Sequence, residues 1–89
     1  MKFKYDSNKL TLIDDNKPVG TIDYKLEDNV FTIVKVYVVP IFQGKGYAKL
    51  LVEEVVRLAK EKNYMIKPLC SYSIGFFEKN PQYSGLLSK

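Results

Sequence analysis

The chain has 89 residues, 46% hydrophobic and 27% charged, with a formal net charge of +4, as expected of one soluble domain large enough to fold without staples. A single cysteine and the absence of histidine exclude an internal disulfide, cysteine-rich metal clusters, histidine-based zinc sites and Ser-His-Asp or Cys-His catalysis. The positive charge suits a polyanionic ligand, but nucleic acid would answer to it as well.

The opening segment MKFKYDSN lacks the apolar core of a signal peptide, and no apolar run approaches the ~18 residues that cross a bilayer. The expectation is a cytoplasmic chain in which residues 1–89 form one domain, with no membrane partner. Phe3 and Tyr5, then Leu10 and Leu12, alternate with polar residues and predict strands joined as a hairpin, with turn chemistry at Asp14 to Pro18. Thr21 to Leu26 predicts a further strand with Ile22, Tyr24 and Leu26 on one face, closed by a turn at Glu27-Asp28-Asn29. From Val30 to Val39 nearly every residue is β-branched or aromatic, which predicts a central strand covered on both faces and ended by Pro40.

A helix is predicted from about Gly46 to Lys62, with Ala48, Leu51, Val52, Val55, Leu58 and Ala59 as its apolar stripe, a Glu53–Arg57 pair on its wet side and Asn63 as a left-handed stop. Tyr64 to Cys70 reads as a strand, and strand-helix-strand implies a parallel crossover. Ser71 to Lys79, with Ile74, Phe76 and Phe77, predicts a second short helix ended by Asn80-Pro81, and Leu86 and Leu87 offer the tail a docking point. Pro40 and Pro68 fall near the ends of two neighbouring parallel strands. Neither donates a ladder hydrogen bond, so those ends should splay into a cleft beside the loop that opens the helix.

That loop, Gln43-Gly44-Lys45-Gly46-Tyr47-Ala48, carries the chemistry. A helix start leaves its first N–H groups unpartnered and partly positive, and two glycines let a ligand approach them. No Asp or Glu occurs from Asn29 to Val52, and Lys45 and Lys49 flank the turn, so the pattern suits a diphosphate. Taken alone, Gly44 and Gly46 fit equally well as relief for a tight turn. There is no Gly-Lys-Ser/Thr ending of a nucleoside-triphosphate loop, and Lys49 stands where a dinucleotide fingerprint needs glycine. The remaining basic residues are scattered among acids, and no RNA-binding aromatic motif is present, so nucleic acid is not the expected partner.

The strand ending V-V-P followed by Q-G-K-G-Y-A-K-L-L resembles the Q/R-x-x-G-x-G/A signature of the GNAT N-acetyltransferase superfamily, with Gln43, Gly46 and Ala48 at the signature positions. P-L-C-S-Y and F-F-E-K-N-P-Q-Y narrow the resemblance to its small single-domain branch. It spans about Val30 to Tyr83. The resemblance implies a minimal GNAT-like α/β (α+β) fold: a mixed sheet with antiparallel N-terminal strands, one long helix, a parallel strand and a short C-terminal helix. It also implies an acetyl-CoA-dependent N-acetyltransferase acting on a small-molecule or protein amine, without a metal; the small size of the fold leaves a monomer or weak homodimer as the expectation. Gln43, Gly44, Lys45, Gly46, Tyr47, Ala48 and Lys49 would then bind coenzyme A, its pyrophosphate on the backbone N–H groups from Gly44 to Ala48, and the backbone at Val38 and Val39 its pantetheine. Tyr72 would protonate the departing thiolate. Cys70 is the branch's candidate for an acetyl-enzyme, against which stands its plainer reading as a small buried residue. A coenzyme A-binding module without catalysis is the alternative, because the chain is too short for the extra helices and strands that shape the acceptor pocket in larger members.

Overall fold

Alternating apolar and polar positions pair into a sheet in the order in which they occur. In the computed structural model, which describes residues 1–88, β1 (Lys2–Tyr5), β2 (Lys9–Asp14), β3 (Lys17–Glu27) and β4 (Val30–Val38) form an antiparallel meander. Two of its turns are built from residue pairs that tolerate positive φ: Asp15 and Asn16 at 52° and 62°, and Asp28 and Asn29 at 51° and 63°. Such pairs match the twist of the strands they join. The chain then passes through α1 (Tyr47–Lys62) to β5 (Met65–Pro68), which pairs parallel with β4, and on to α2 (Ser71–Lys79). Asn63 ends α1 in the left-handed region, as its sequence position predicts. After a 3-10 turn at Pro81–Leu86, the tail docks on β5: Leu87 bridges Ile66, and Ser88 N–H donates to Ile66 C=O at 2.8 Å.

The expected α+β architecture is therefore present, built around one core. Leu10, Leu12, Ile22, Tyr24, Phe31, Ile33 and Ile66 from the sheet join Leu51, Val52, Val55 and Ala59 from α1, and Phe76 and Phe77 from α2, in a single buried cluster. Each fully buried aliphatic or aromatic side chain contributes about 1.5–3 kcal/mol. The run of β4 predicts cover on both faces, and the structure corrects this. Val34 and Tyr37 are 40% and 44% exposed, because both helices enter the same core and no further described element lies over the other face.

On α1 the predicted stripe is largely kept, with Ala48 and Leu58 only half-buried, but it also includes Val56 and an acid, Glu54. The predicted Glu53–Arg57 pair does not form. Arg57 instead donates to Glu54 from Nε and Nη2 at 2.8 and 2.9 Å, and to Glu61 from Nη1 at 2.6 Å. The Tyr5 hydroxyl of β1 also donates to Glu54. A carboxylate turned inward needs such donors to offset its lost hydration, and Glu53 has no comparable set. Arg57 and Tyr5 hold the Glu54 carboxyl below its ordinary range against the opposing effect of burial. Burial, reinforced by Glu54, pushes the Tyr5 phenol upward.

Candidate functional site

The site begins at an irregularity in β4. Ile33 lies opposite Tyr24 and Lys35 opposite Asp23, so Val34 is an extra residue that bulges from the ladder. The bulge falls where β5 stops, since the last parallel pair is Ile33 with Pro68, followed by Leu69 N–H donating to Ile33 C=O at 3.0 Å. Beyond it β4 runs on alone. Val39 N–H donates to Val19 C=O at 2.9 Å, and opposed residues alternate in an antiparallel ladder, so Val36 and Val38 turn their own N–H and C=O groups away from β3 into the gap. A cleft at the carboxyl ends of the strands is thus present, but the two prolines are not level across it. Pro68 sits beside Ile33, whereas Pro40 lies past Val38 and starts a 3-10 turn at Pro40–Phe42. The bulge and the turn of the chain into α2 open the gap.

Gly46 forms the mouth of α1 with φ 84°, and Gly44 precedes it at φ 82°, a region a side chain would strain. α1 has neither a capping side chain nor an acid in its first turn. Among the described residues, no protein acceptor takes a hydrogen bond from the N–H groups of Gly44 through Lys49. Such a helix mouth presents several parallel donors and partial positive charge to one point in space. The Gln43 side chain folds back, its amide donating to Val38 C=O at 3.1 Å.

These groups surround a cleft of about 360 Å³ lined by Val36, Val38, Phe42, Gln43, Gly44, Gly46, Tyr47, Ala48, Lys49 and Tyr72. Of the residues the sequence singles out, Val38, Gln43, Gly44, Gly46, Tyr47, Ala48, Lys49 and Tyr72 meet here. Val39, Lys45 and Cys70 are not part of the lining. Val39 is spent on the ladder to β3, and the Lys45 ammonium stands 5.9 Å from the centre of the Phe42 ring.

Cys70 is half-buried at the start of α2, yet its side chain accepts no hydrogen bond from the helix's N–H groups. Its partner is the fully buried Ser73, with Sγ and Oγ 3.1 Å apart. The Ser73 hydroxyl donates to Cys70 C=O at 3.0 Å, and with its one proton so used it receives from the thiol rather than activating it. Tyr72 is 41% exposed at the cleft, and burial, followed by the negative charge of Glu53, raises its pKa. Its hydroxyl therefore keeps its proton through neutral pH, the state required of a proton donor.

Two features escape sequence reading. The Tyr47 hydroxyl donates to Asp14 Oδ2 at 2.6 Å, tying the first turn of α1 to the end of β2, and this bond raises the Tyr47 pKa. The other is the bulge, since Val34 sits in a run of β-branched residues with no glycine or proline to mark it. An acid at the end of a strand and a tyrosine after the glycine loop were the available signals for the first, but their separation of 33 residues gives no reason to join them.

Comparison with known proteins agrees with this geometry. Residues 9–86 match the family model described as GCN5-related N-acetyl-transferase. The solution structure of a GCN5-like protein from Staphylococcus aureus is 28% identical, with a TM-score of 0.77, over 98% of this chain and 87% of that one. PaiA N-acetyltransferase from Thermoplasma acidophilum, in complex with coenzyme A, is 23% identical with a TM-score of 0.66, over 81% of this chain and 48% of that one. The ribosomal-protein-S18-alanine N-acetyltransferase from Escherichia coli is 13% identical with a TM-score of 0.70, over 85% and 53%. The chain thus spans about half the length of the latter two. No curated protein sequence matches it.

Proposed function

The chain belongs to the GCN5-related N-acetyltransferase family, and on that premise we propose that residues 1–89 act as one acetyl-CoA-binding domain that transfers acetyl to an amine. The observation that carries this reading is the row of unpartnered N–H groups from Gly44 to Ala48 at the mouth of α1. They match the linked phosphates of coenzyme A, and Lys49 adds charge at the same cleft. Val36 and Val38 extend the path inward, because their turned-out backbone groups fit the two amides of pantetheine. Val38 C=O already accepts from the Gln43 amide, and its second lone pair is available to a ligand N–H.

The coenzyme supplies an acetyl thioester. Laid along β4, the thioester would lie towards the bulge, where a backbone N–H of the unpaired stretch stabilises the carbonyl oxygen as the amine attacks its carbon. As the carbon–sulfur bond breaks, Tyr72 gives its proton to the leaving thiolate, and the amine loses its own to water. Direct transfer is the favoured route. A Cys70 acetyl-enzyme is disfavoured because the thiol lies outside the cleft lining and has only the Ser73 hydroxyl as partner.

Titration of acetyl-CoA into isotopically labelled protein should move the amide signals of Gly44 to Lys49 and of Val36 and Val38, and amines screened for thiol release should include at least one acceptor. Unmoved Gly44 and Gly46 signals at millimolar coenzyme would overturn the reading. Binding without thiol release from any amine would instead favour a coenzyme-binding module.

A further inference from the structure

A second cleft, of about 440 Å³, adjoins the first and shares Lys49 and Tyr72 with it. Its other walls come from α2 and the residue after it, and no Asp or Glu is among its lining residues. Lys49 on α1 and Lys79 on α2 both face it, and among the described residues neither forms an ion pair. Two lysines on one concavity are thus left without a direct carboxylate contact among the described residues, Glu53 acting on the cleft only through its charge at Tyr72.

The floor includes Gly75, in the middle of α2. A glycine inside a helix is about 1 kcal/mol less favourable than alanine, so it calls for a cause. The backbone supplies none, since Gly75 is not at positive φ, and neither does packing, since an added Cβ would meet no atom within 4 Å. What the glycine preserves is the open volume of the cleft itself.

We propose that this second cleft holds the ribose 3′-phosphate of coenzyme A between Lys49 and Lys79, making them selectors of the phosphorylated coenzyme over its 3′-dephospho form. The inference rests on the proposed coenzyme binding and adds to it a subsite of its own. In coenzyme A a single ribose joins the 5′-diphosphate to the 3′-phosphate, so two anionic groups must be bound side by side. Two clefts that meet at Lys49 and Tyr72 satisfy that requirement. A phosphate monoester carries close to two negative charges at neutral pH and takes charge-assisted hydrogen bonds from ammonium groups. Gly75 leaves the floor low enough for the sugar to lie against α2.

Calorimetric titration of the full chain with coenzyme A and with 3′-dephospho-coenzyme A tests this. The unaltered protein should bind coenzyme A about tenfold more tightly, as one charged hydrogen-bonded contact implies. Lys79→Ala should remove most of that preference by weakening coenzyme A about fivefold while leaving 3′-dephospho-coenzyme A within about twofold. Lys25→Ala, the same loss of charge at a distant cleft, should change neither ligand. Gly75→Leu should weaken coenzyme A by filling the floor, and Gly75→Ala should raise the melting temperature, which separates lost affinity from a damaged helix. Equal affinity of the unaltered protein for the two ligands, or equal weakening of both by Lys79→Ala, would overturn the subsite and leave the diphosphate site standing. Failure to bind either ligand would overturn both.

Discussion

The two halves of β4 differ more than any two separate elements of the fold. From Val30 to Ile33 the strand is paired on both sides, with β3 and β5, and it sends Phe31 and Ile33 into the core, where they are 1% and 0% exposed. Past the bulge at Val34, Lys35 to Val38 are paired only with β3, and Val34 and Tyr37 are open to solvent. Composition barely distinguishes the halves, since each consists mostly of β-branched residues with one aromatic. One bulged residue does. Stability and ligand-facing backbone are thereby carried by the same strand without competing, because each half keeps its own set of hydrogen bonds.

The sharpest way to break this contrast is to damage each half in turn. Phe31→Ala should destabilise the protein by about 3–5 kcal/mol, read from urea unfolding, because the ring is fully buried and stacks on Tyr24 with centroids 4.4 Å apart. A loss below about 1 kcal/mol would mean that the lower half is not the anchor described. At the open end, Tyr72→Phe should leave the fold intact and lower kcat about 100-fold, with little change in coenzyme affinity. Because Tyr72's pKa lies above the ordinary ~10, the rate of the unaltered enzyme should not fall from loss of that proton until pH exceeds about 10.

Asp14→Ala should act at a distance from both halves. Removing the acceptor of the Tyr47 hydroxyl frees the first turn of α1 and should weaken acetyl-CoA about three- to fivefold, whereas Asp14→Asn, which still accepts, should restore most of the affinity. Equal affinity in both variants would show the bond to be structural only. The smallest expected effect lies in the pH dependence of stability around Glu54. Its folded pKa is depressed, so its contribution is present above the unfolded value near ~4.3 and is lost as pH falls through the lower folded one. Tyr5 behaves oppositely: its raised value means that its contribution is present below about pH 10 and is lost only at higher pH. Glu54→Gln should flatten the acid limb of the melting temperature against pH and leave the core packing unchanged.

Much of the fold is legible in the chain because its signals are local. Two-fold alternation marks β2 and β3, the 3.6-residue stripe of Leu51, Val52, Val55 and Ala59 marks α1, and Asn63 marks its end. The glycine loop is legible for the same reason, since helix caps are written within a few residues of where they act. What resists reading depends on partners distant in sequence. The inward turn of Glu54 is explained by Tyr5, 49 residues away, and the open face of β4 follows from both helices packing on one side, which a β-branched run does not encode. Cys70 shows the same limit. Its place before a helix suggests activation, whereas its orientation is set by a serine one turn later, already bonded to the cysteine's own carbonyl.

The tail on β5 has a consequence for how molecules of this protein meet. Sheets with a bare margin invite strands from neighbours, the first step of runaway polymerisation. Here Leu87 and Ser88 occupy one rim, and the opposite rim is the four-residue β1, which carries Lys2 and Lys4 in water. The β5 border is occupied and the β1 border is short and positively charged, so neither should readily knit separate copies into fibrils, and the margin left open is the upper half of β4.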